Sequence, residues 1–300
     1  MRVTWLERPR NPETAATRLR NLIARKTAIA VPGAHDGMSA LLARQAGFEA
    51  LYLSGAALSA SMALPDLGLL TLDDVSRKAR EIVRASDLPL IVDCDTGFGE
   101  ALNVMHAVRT LEEIGVACIQ IEDQQFPKKC GHLNDKKLVP VEEMCRKVTA
   151  AKKASTDLLI CARTDAAGGL LDDAITRARR YREAGADVIF VEALTSRDDI
   201  IRAREQLTAP LLANMTEFGR TPQLSLNEWD AAGFELVIFP VSSFRVAACA
   251  VQRFYASLHR NGDVKEILPE MMTRTALYDS ISYYDYEALD ASIARTVLPE

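Results

Sequence analysis

The chain lacks a surplus of positive charge: 36 Lys and Arg stand against 41 Asp and Glu, for a formal net charge of −5. Tight association with nucleic acid requires clustered cations to neutralise phosphates, so a nucleic-acid partner is not expected. Long apolar runs are also missing. No stretch approaches the roughly 20 residues needed to cross a bilayer, and MRVTWLERPRNPETAATRLR at the start has no secretory apolar segment. A cytoplasmic protein with no membrane partner is therefore expected. The six cysteines, Cys94, Cys118, Cys130, Cys145, Cys161 and Cys249, form no C-x-x-C pair and no dense disulfide framework. Histidine is scarce, four in all with no H-x-x-x-H spacing, which argues against zinc. Neither G-x-G-x-x-G nor G-x-x-x-x-G-K-[ST] occurs. VPGAHDGMS stands where an open dinucleotide-binding or P-loop sheet would carry its glycine loop.

What remains is 48% apolar and only modestly supplied with glycine and proline, 15 and 12 residues, enough to bury a large core. Short β-like runs occur at Ala28–Val31, Ala50–Ser54, Leu88–Asp93, Val116–Glu122, Asp157–Arg163, Asp187–Glu192, Pro210–Asn214 and Glu235–Pro240. Between and after them lie stretches with helical spacing of apolar residues: Gly37–Gln45, Leu72–Ala85, Ala101–Ile114, Val141–Ala154, Leu171–Ala184, Arg197–Gln206, Leu226–Ala232 and Ser242–Leu258. Four helices run through a glycine directly into the next strand (QAGFEALYL, EIGVACIQI, EAGADVIFV, AAGFELVIF), where glycine closes the last turn in the left-handed conformation. Eight alternations without a linker predict an α/β protein, a single (β/α)8 TIM barrel at 28–258 with a C-terminal helical extension at 263–300. The tyrosines of SISYYDYEALD in that extension are spaced to pack.

In such a barrel the carboxyl ends of the strands share one mouth. The residues there are His35, Ser54, Asp93 with Asp95, Glu122 with Asp123, Arg163 with Asp165, Glu192, Asn214, and Ser243 with Arg245. Polarity resumes at any strand end, but so many carboxylates and arginines facing inward would repel one another without a cation and an anionic ligand. Asp93 and Asp95 are two apart and share one side of an extended strand, and the following Thr-Gly-Phe-Gly permits close backbone approach. Paired oxygen ligands suit Mg²⁺, with Mn²⁺ as substitute, and Glu122 is a third carboxylate candidate. Arg163 and Arg245 match substrate carboxylates in bidentate fashion, although surface arginines are also common. Cys130 follows two lysines in FPKKCGHLNDKK, so its thiol pKa is expected to be lowered. The segment 123–140 has the length of a lid. Two rival chemistries use the same stretch of chain: a Schiff-base aldolase on Lys128 or Lys129, or a non-catalytic metabolite-binding barrel, which would show disrupted catalytic positions.

KKCGH at Lys128–His132, VDCDTGFG at Val92–Gly99, YLSGAALSASMALPDLG at Tyr52–Gly68, IEDQ around Glu122, ARTDA around Arg163, ANMTEFG around Asn214 and TRTALYDSISYYDYEALD around Arg274 together resemble the isocitrate lyase/phosphoenolpyruvate mutase superfamily. The resemblance runs over nearly the whole chain, and KKCGH points to its lyase branch. It implies Mg²⁺ on Asp93 and Asp95, with Glu122 reaching it through water and Asp66 nearby. It also implies a substrate pocket from Ser54, Gly55, Ala56, Gly131, Arg163, Glu192, Asn214, Met215, Thr216, Arg245 and Arg274, with Cys130, Tyr52 and Lys128 as catalytic residues. The implied reaction is cleavage of 2-methylisocitrate, a small tricarboxylate, into pyruvate and succinate, Cys130 protonating the succinate carbanion and a base near Tyr52 taking the hydroxyl proton. Isocitrate or 2,3-dimethylmalate cleavage and oxaloacetate hydrolysis are alternatives. A homotetramer with a C-terminal helix crossing to a neighbouring subunit is implied as well.

Overall fold

The computed structural model describes residues 4–9 and 11–293, in two compact units: 13–245, and 4–9 with 11–12 and 246–293. The larger unit is built on eight parallel strands: β1 (Ile29–Pro32), β2 (Leu51–Leu53), β3 (Leu90–Asp93), β4 (Cys118–Glu122), β5 (Leu159–Thr164), β6 (Val188–Val191), β7 (Leu211–Asn214) and β8 (Leu236–Phe239). Neighbours pair in the order β1-β8-β7-β6-β5-β4-β3-β2. A parallel bridge between Gly33 and Tyr52, with Ala34 N–H donating to the Tyr52 carbonyl at 2.9 Å, brings the remaining two edges together. Each strand coincides with an expected run to within two residues at either end.

Strand parity divides the side chains into two layers. Ile91, Cys118, Cys161, Phe190, Leu212 and Leu236 point into the barrel, and Val92, Ile119, Ile121, Ile160, Ile189 and Val237 point out against the helices. Cys118 and Cys161 are thus buried thiols, as their apolar surroundings suggest. Each such aliphatic side chain, fully buried, contributes about 1.5–3 kcal/mol relative to exposure. The helix Ala15–Ala24, which the reading by strand–helix units does not include, packs Ala16, Leu19, Leu22 and Ile23 into the interior layer. Its apolar residues recur at helical spacing behind Thr14, whose hydroxyl accepts from Thr17 N–H.

The same parity lifts polar residues to the mouth. Asp93 lies two positions after Ile91, Gln120 and Glu122 follow Cys118 at steps of two, and Arg163 follows Cys161. Strand register then places Asp93 beside Gln120 and Glu122 beside Arg163.

In the smaller unit the described helices include Arg274–Ser280 and Tyr283–Ile293. Tyr278 stacks on Tyr283 with ring centroids 4.3 Å apart, so the tyrosines do pack on one another. Residues 294–300 of the expected extension lie outside the described residues. No helix among the described residues is long and apolar enough to cross a membrane.

Candidate active site

The mouth of the barrel encloses a cavity of about 50 Å³ lined by residues from seven of the eight strand–loop junctions, including Tyr52, Ser54, Asp93, Cys130, Arg163 and Asn214. So small a space holds only a few waters, so a tricarboxylate must enter with the covering segment displaced. That cover is the 123–140 segment. Its two ends are zipped together, Gln125 N–H donating to Lys137 O at 2.7 Å and Val139 N–H to Asp123 O at 2.9 Å, while Gln124 Nε2 holds Lys129 O at 2.8 Å. Between them KKCGH reaches into the mouth. Gly131 packs so closely that a β-carbon there would strike Arg163 Nη2, Glu192 Cγ and Asp165 Oδ1, which accounts for glycine at this position.

Arg163 is the centre of the cationic side. Its Nε and Nη2 donate to the two oxygens of Asp165, both at 2.9 Å, and Nη1 lies 3.2 Å from Glu122 and 3.6 Å from Glu192. Its guanidinium sits 5.3 Å from the Phe190 ring centroid. Burial opposes its charge, but Asp165, Glu122 and Glu192 outweigh that cost and hold it firmly protonated. Glu192 is buried too, yet Arg163, His132 and Asn214 draw its pKa down to about 2. The His132 ring accepts from Arg220 N–H through Nδ1 and places Nε2 3.2 Å from Glu192, which fixes the neutral tautomer as Nε2–H.

The anionic side is richer in charge. Asp93 receives Gly55 N–H on Oδ2 and both Asp95 N–H and Gln120 Nε2 on Oδ1, at 3.1, 3.1 and 3.2 Å. A β-carbon on Gly55 would lie 3.1 Å from Asp95 Oδ1 and 3.2 Å from Asp93 Oδ2, so both carboxylates pack against this glycine. Asp95 adopts φ 49° and Phe98 φ 60°, between Gly97 and Gly99, also left-handed. For an aspartate and an aromatic residue this backbone costs on the order of 1–3 kcal/mol each, strain typical of a loop held for function. Burial and the charge of Asp93 push Asp95 up to about 7 despite Lys128. Glu122 is raised well above the carboxylate range, chiefly by burial, and neither of its oxygens receives a hydrogen bond.

In and next to the cavity the carboxyl groups of Asp66, Asp93, Asp95, Glu122, Asp165 and Glu192 outnumber the cations Lys128, Lys129, Lys136 and Arg163. That imbalance, the neighbouring Asp93 and Asp95 and the all-oxygen donors fit a hard divalent cation that keeps several waters. No three His, Cys, Asp or Glu side chains converge as a cage among the described residues. The fit is that of two direct carboxylates plus water.

Lys128 pairs with Asp66 and lies 2.6 Å from Asp95 Oδ1. Burial disfavours its charge, but Asp93, Asp95, Glu122 and Asp66 prevail and raise its pKa well above the usual lysine value. A Schiff base needs a neutral amine, so Lys128 is poorly set for that chemistry. Asp66, expected near the metal, meets Lys128 instead.

The expectation for Cys130 is reversed in direction. Its lysine neighbours do not lower the thiol, because Lys128 turns away to Asp66 and Asp95. Burial dominates and raises the pKa of Cys130 above the ordinary thiol value, with His132 N–H and Arg163 only partly opposing it. The thiol carries its proton at neutral pH.

Ser54, Ala56, Asn214 and Thr216 line the cavity as expected, and Gly55 contributes its N–H to Asp93. Ser54, Gly55 and Ala56 stand at the start of the helix Gly55–Ser61, which the sequence reading leaves out because its glycine, alanine and serine lack helical patterning. Met215 faces the core, its sulfur accepting from Leu224 N–H. Arg245 does not line the cavity. It binds Glu217 at 2.7 Å, lies over Phe218, and remains partly exposed. Arg274 opens a helix of the smaller unit. Asp123, another residue of the strand-end ring, faces outward to Thr164, Tyr181 and Arg177. Gln120, Phe190, His132 and Lys136 are site residues that the sequence reading missed. The signal for Gln120 was parity: it lies two before Glu122, on the inward side.

Residues 19–259 match the protein family described as Phosphoenolpyruvate phosphomutase. The chain belongs to the PEP mutase/isocitrate lyase superfamily. Among superfamily relatives, the 2-methylisocitrate lyase of Bacillus subtilis (strain 168) is 51% identical over 300 residues, covering 99% of this chain and 100% of its own. The 2-methylisocitrate lyase of Halalkalibacterium halodurans (strain C-125) is 50% identical over 99% of this chain and 100% of its own. A crystal structure of 2,3-dimethylmalate lyase, described as a PEP mutase/isocitrate lyase superfamily member, superposes with a TM-score of 0.89 at 35% identity. It covers 95% of this chain and 97% of that one.

Proposed function

We propose that the chain is a carbon–carbon lyase that cleaves 2-methylisocitrate to pyruvate and succinate with Mg²⁺. The observation that carries this reading is the KKCGH segment, which sets a protonated, half-buried Cys130 in the same cavity as Asp93 and Arg163, with Asp95 next to Asp93. The full-length relatives named for 2-methylisocitrate support that substrate over 2,3-dimethylmalate. Asp93 and Asp95, with Glu122 nearby, would hold Mg²⁺, which would supply Lewis-acid stabilisation of the 2-oxo acid. Arg163 and Asn214 hold substrate carboxylates, and the Ser54–Ala56 turn faces the pyruvate end. Loss of the hydroxyl proton to a base at the Tyr52 end lets the C2–C3 electron pair leave with the succinate fragment. The carbanion is delocalised into its carboxylate and takes the Cys130 proton, and the base then returns its proton to the thiolate. Cytoplasmic location, a role in propionate breakdown through the methylcitrate cycle and assembly as a homotetramer with a helix exchanged between subunits belong to the same reading.

One assay tests it. Purified protein with Mg²⁺ is expected to show a kcat/KM for 2-methylisocitrate at least tenfold above those for isocitrate and 2,3-dimethylmalate, to lose turnover in EDTA and to recover it with Mg²⁺. Borohydride with substrate is expected to leave Lys128 and Lys129 unmodified. A preference for isocitrate overturns the substrate, and EDTA-resistant turnover with borohydride trapping overturns the metal chemistry.

A further inference from the structure

Gln120 is wholly buried on the interior face of β4, paired in register with Asp93. Its amide joins two groups of the cavity. Tyr52 OH lies 2.5 Å from Gln120 Oε1, and Gln120 Nε2 lies 3.2 Å from Asp93 Oδ1. Asp93 Oδ1 accepts from Asp95 N–H as well as from Gln120 Nε2, so the amide nitrogen faces Asp93 and the amide oxygen accepts from the Tyr52 hydroxyl. The phenol has a single hydrogen, and this arrangement commits it to Gln120. What Tyr52 then presents to the cavity is a lone pair.

We infer that Gln120 is a positioning residue that sets the polarity of the Tyr52→Gln120→Asp93 chain, turning the Tyr52 oxygen to the cavity as a hydrogen-bond acceptor and holding Asp93 through Oδ1. The inference rests on the lyase reading of the cavity. It also sharpens the role of Tyr52. A neutral phenol whose hydrogen is held by an amide cannot take up a proton, and an amide oxygen is no base, so the group that removes the substrate's hydroxyl proton is not Tyr52. Burial, and then the charge of Asp93, keep this phenol protonated far beyond neutral pH. Asp93 has three donors, Gln120 Nε2, Asp95 N–H and Gly55 N–H, and Gln120 is the one supplied by a side chain. Removing it leaves Asp93 held by the two backbone N–H groups alone, one on each oxygen.

The test is a double-mutant cycle with two readouts. Gln120→Met is close in volume and removes both hydrogen bonds, and Tyr52→Phe removes only the phenol group. Calorimetric titration with Mg²⁺ alone is expected to show Kd at least threefold weaker in Q120M and unchanged in Y52F. In turnover, Q120M is expected to lower kcat by about 10- to 100-fold in the wild-type background and by less than threefold in the Y52F background, because both changes break one chain. Additive losses in kcat, or an unchanged Mg²⁺ Kd in Q120M, overturn the inference. If Q120M does not fold, Gln120→Glu serves in its place: it keeps an acceptor for Tyr52 but loses the donor to Asp93, so the Mg²⁺ Kd must move at least threefold and the coupling to Y52F must persist. The calorimetric arm needs no substrate, so it separates a failure of this inference from a failure of the lyase reading, which would appear as no cleavage by the wild type.

Discussion

Cys130→Ser is expected to reduce kcat for 2-methylisocitrate cleavage by about 10²–10⁴-fold, the span typical of losing a positioned general acid. KM and Mg²⁺ affinity are expected to change less than threefold and Tm by no more than a few degrees. A hydroxyl in the same place is a far weaker acid than the thiol, while its size and single donor are retained. The argument depends on the direction of the thiol shift. Burial raises Cys130 above the usual thiol value, so it waits protonated next to the carbanion rather than as a nucleophilic thiolate. The thiol does no ligand-holding: Asp93 is held by the N–H groups of Gly55 and Asp95 and by Gln120, and Asp95 by Lys128. Steady-state kinetics, Mg²⁺ calorimetry and a thermal melt on one preparation check all three parts. Near-normal kcat in C130S would remove Cys130 from the mechanism.

Arg163→Gln is expected to damage both activity and stability. Arg163 neutralises Asp165 in a two-bond fork and lies beside Glu122 and Glu192, all buried. Taking away one partner of a buried ion pair leaves an uncompensated charge and costs about 3–5 kcal/mol. In a chain of this size that corresponds to a fall in Tm on the order of 10 °C. The glutamine cannot bind a substrate carboxylate through two charged N–H groups, so kcat/KM is expected to fall at least 10³-fold. Arg163→Lys keeps the charge but loses the fork, and its stability is expected to lie between the two. Scanning calorimetry together with kcat/KM checks this. An R163Q protein with wild-type Tm would show that the three carboxylates are protonated or otherwise balanced.

The barrel was legible because β-like runs and helical spacing alternate eight times, and because glycine marks four of the joints. Asp93, Glu122 and Arg163 were legible because position at a strand end and a step of two together define inward-facing mouth residues. Gln120 obeys the same parity but is neutral and lies within an apolar strand, so its chemistry appears only when register places it between Tyr52 and Asp93. The thiol shift could not be read from adjacent lysines, since the side chain of Lys128 goes to Asp66 and Asp95 instead. Arg245 shows the converse limit. It follows the last strand closely, yet the helix beginning at Ser242 and the neighbouring Glu217 carry its guanidinium to a partner outside the cavity.

The account's central claim is that this mouth breaks one carbon–carbon bond and returns one enzyme-held proton to the succinate fragment. The most direct measurement is product analysis after turnover of 2-methylisocitrate with Mg²⁺ in D₂O. The expected result is pyruvate and succinate in equal amounts, the succinate carrying a single deuterium on the methylene carbon that was bonded to the pyruvate unit, with both products nearly absent for C130S. Absence of pyruvate from the wild type, or C130S giving singly deuterated succinate at the wild-type rate, would contradict it.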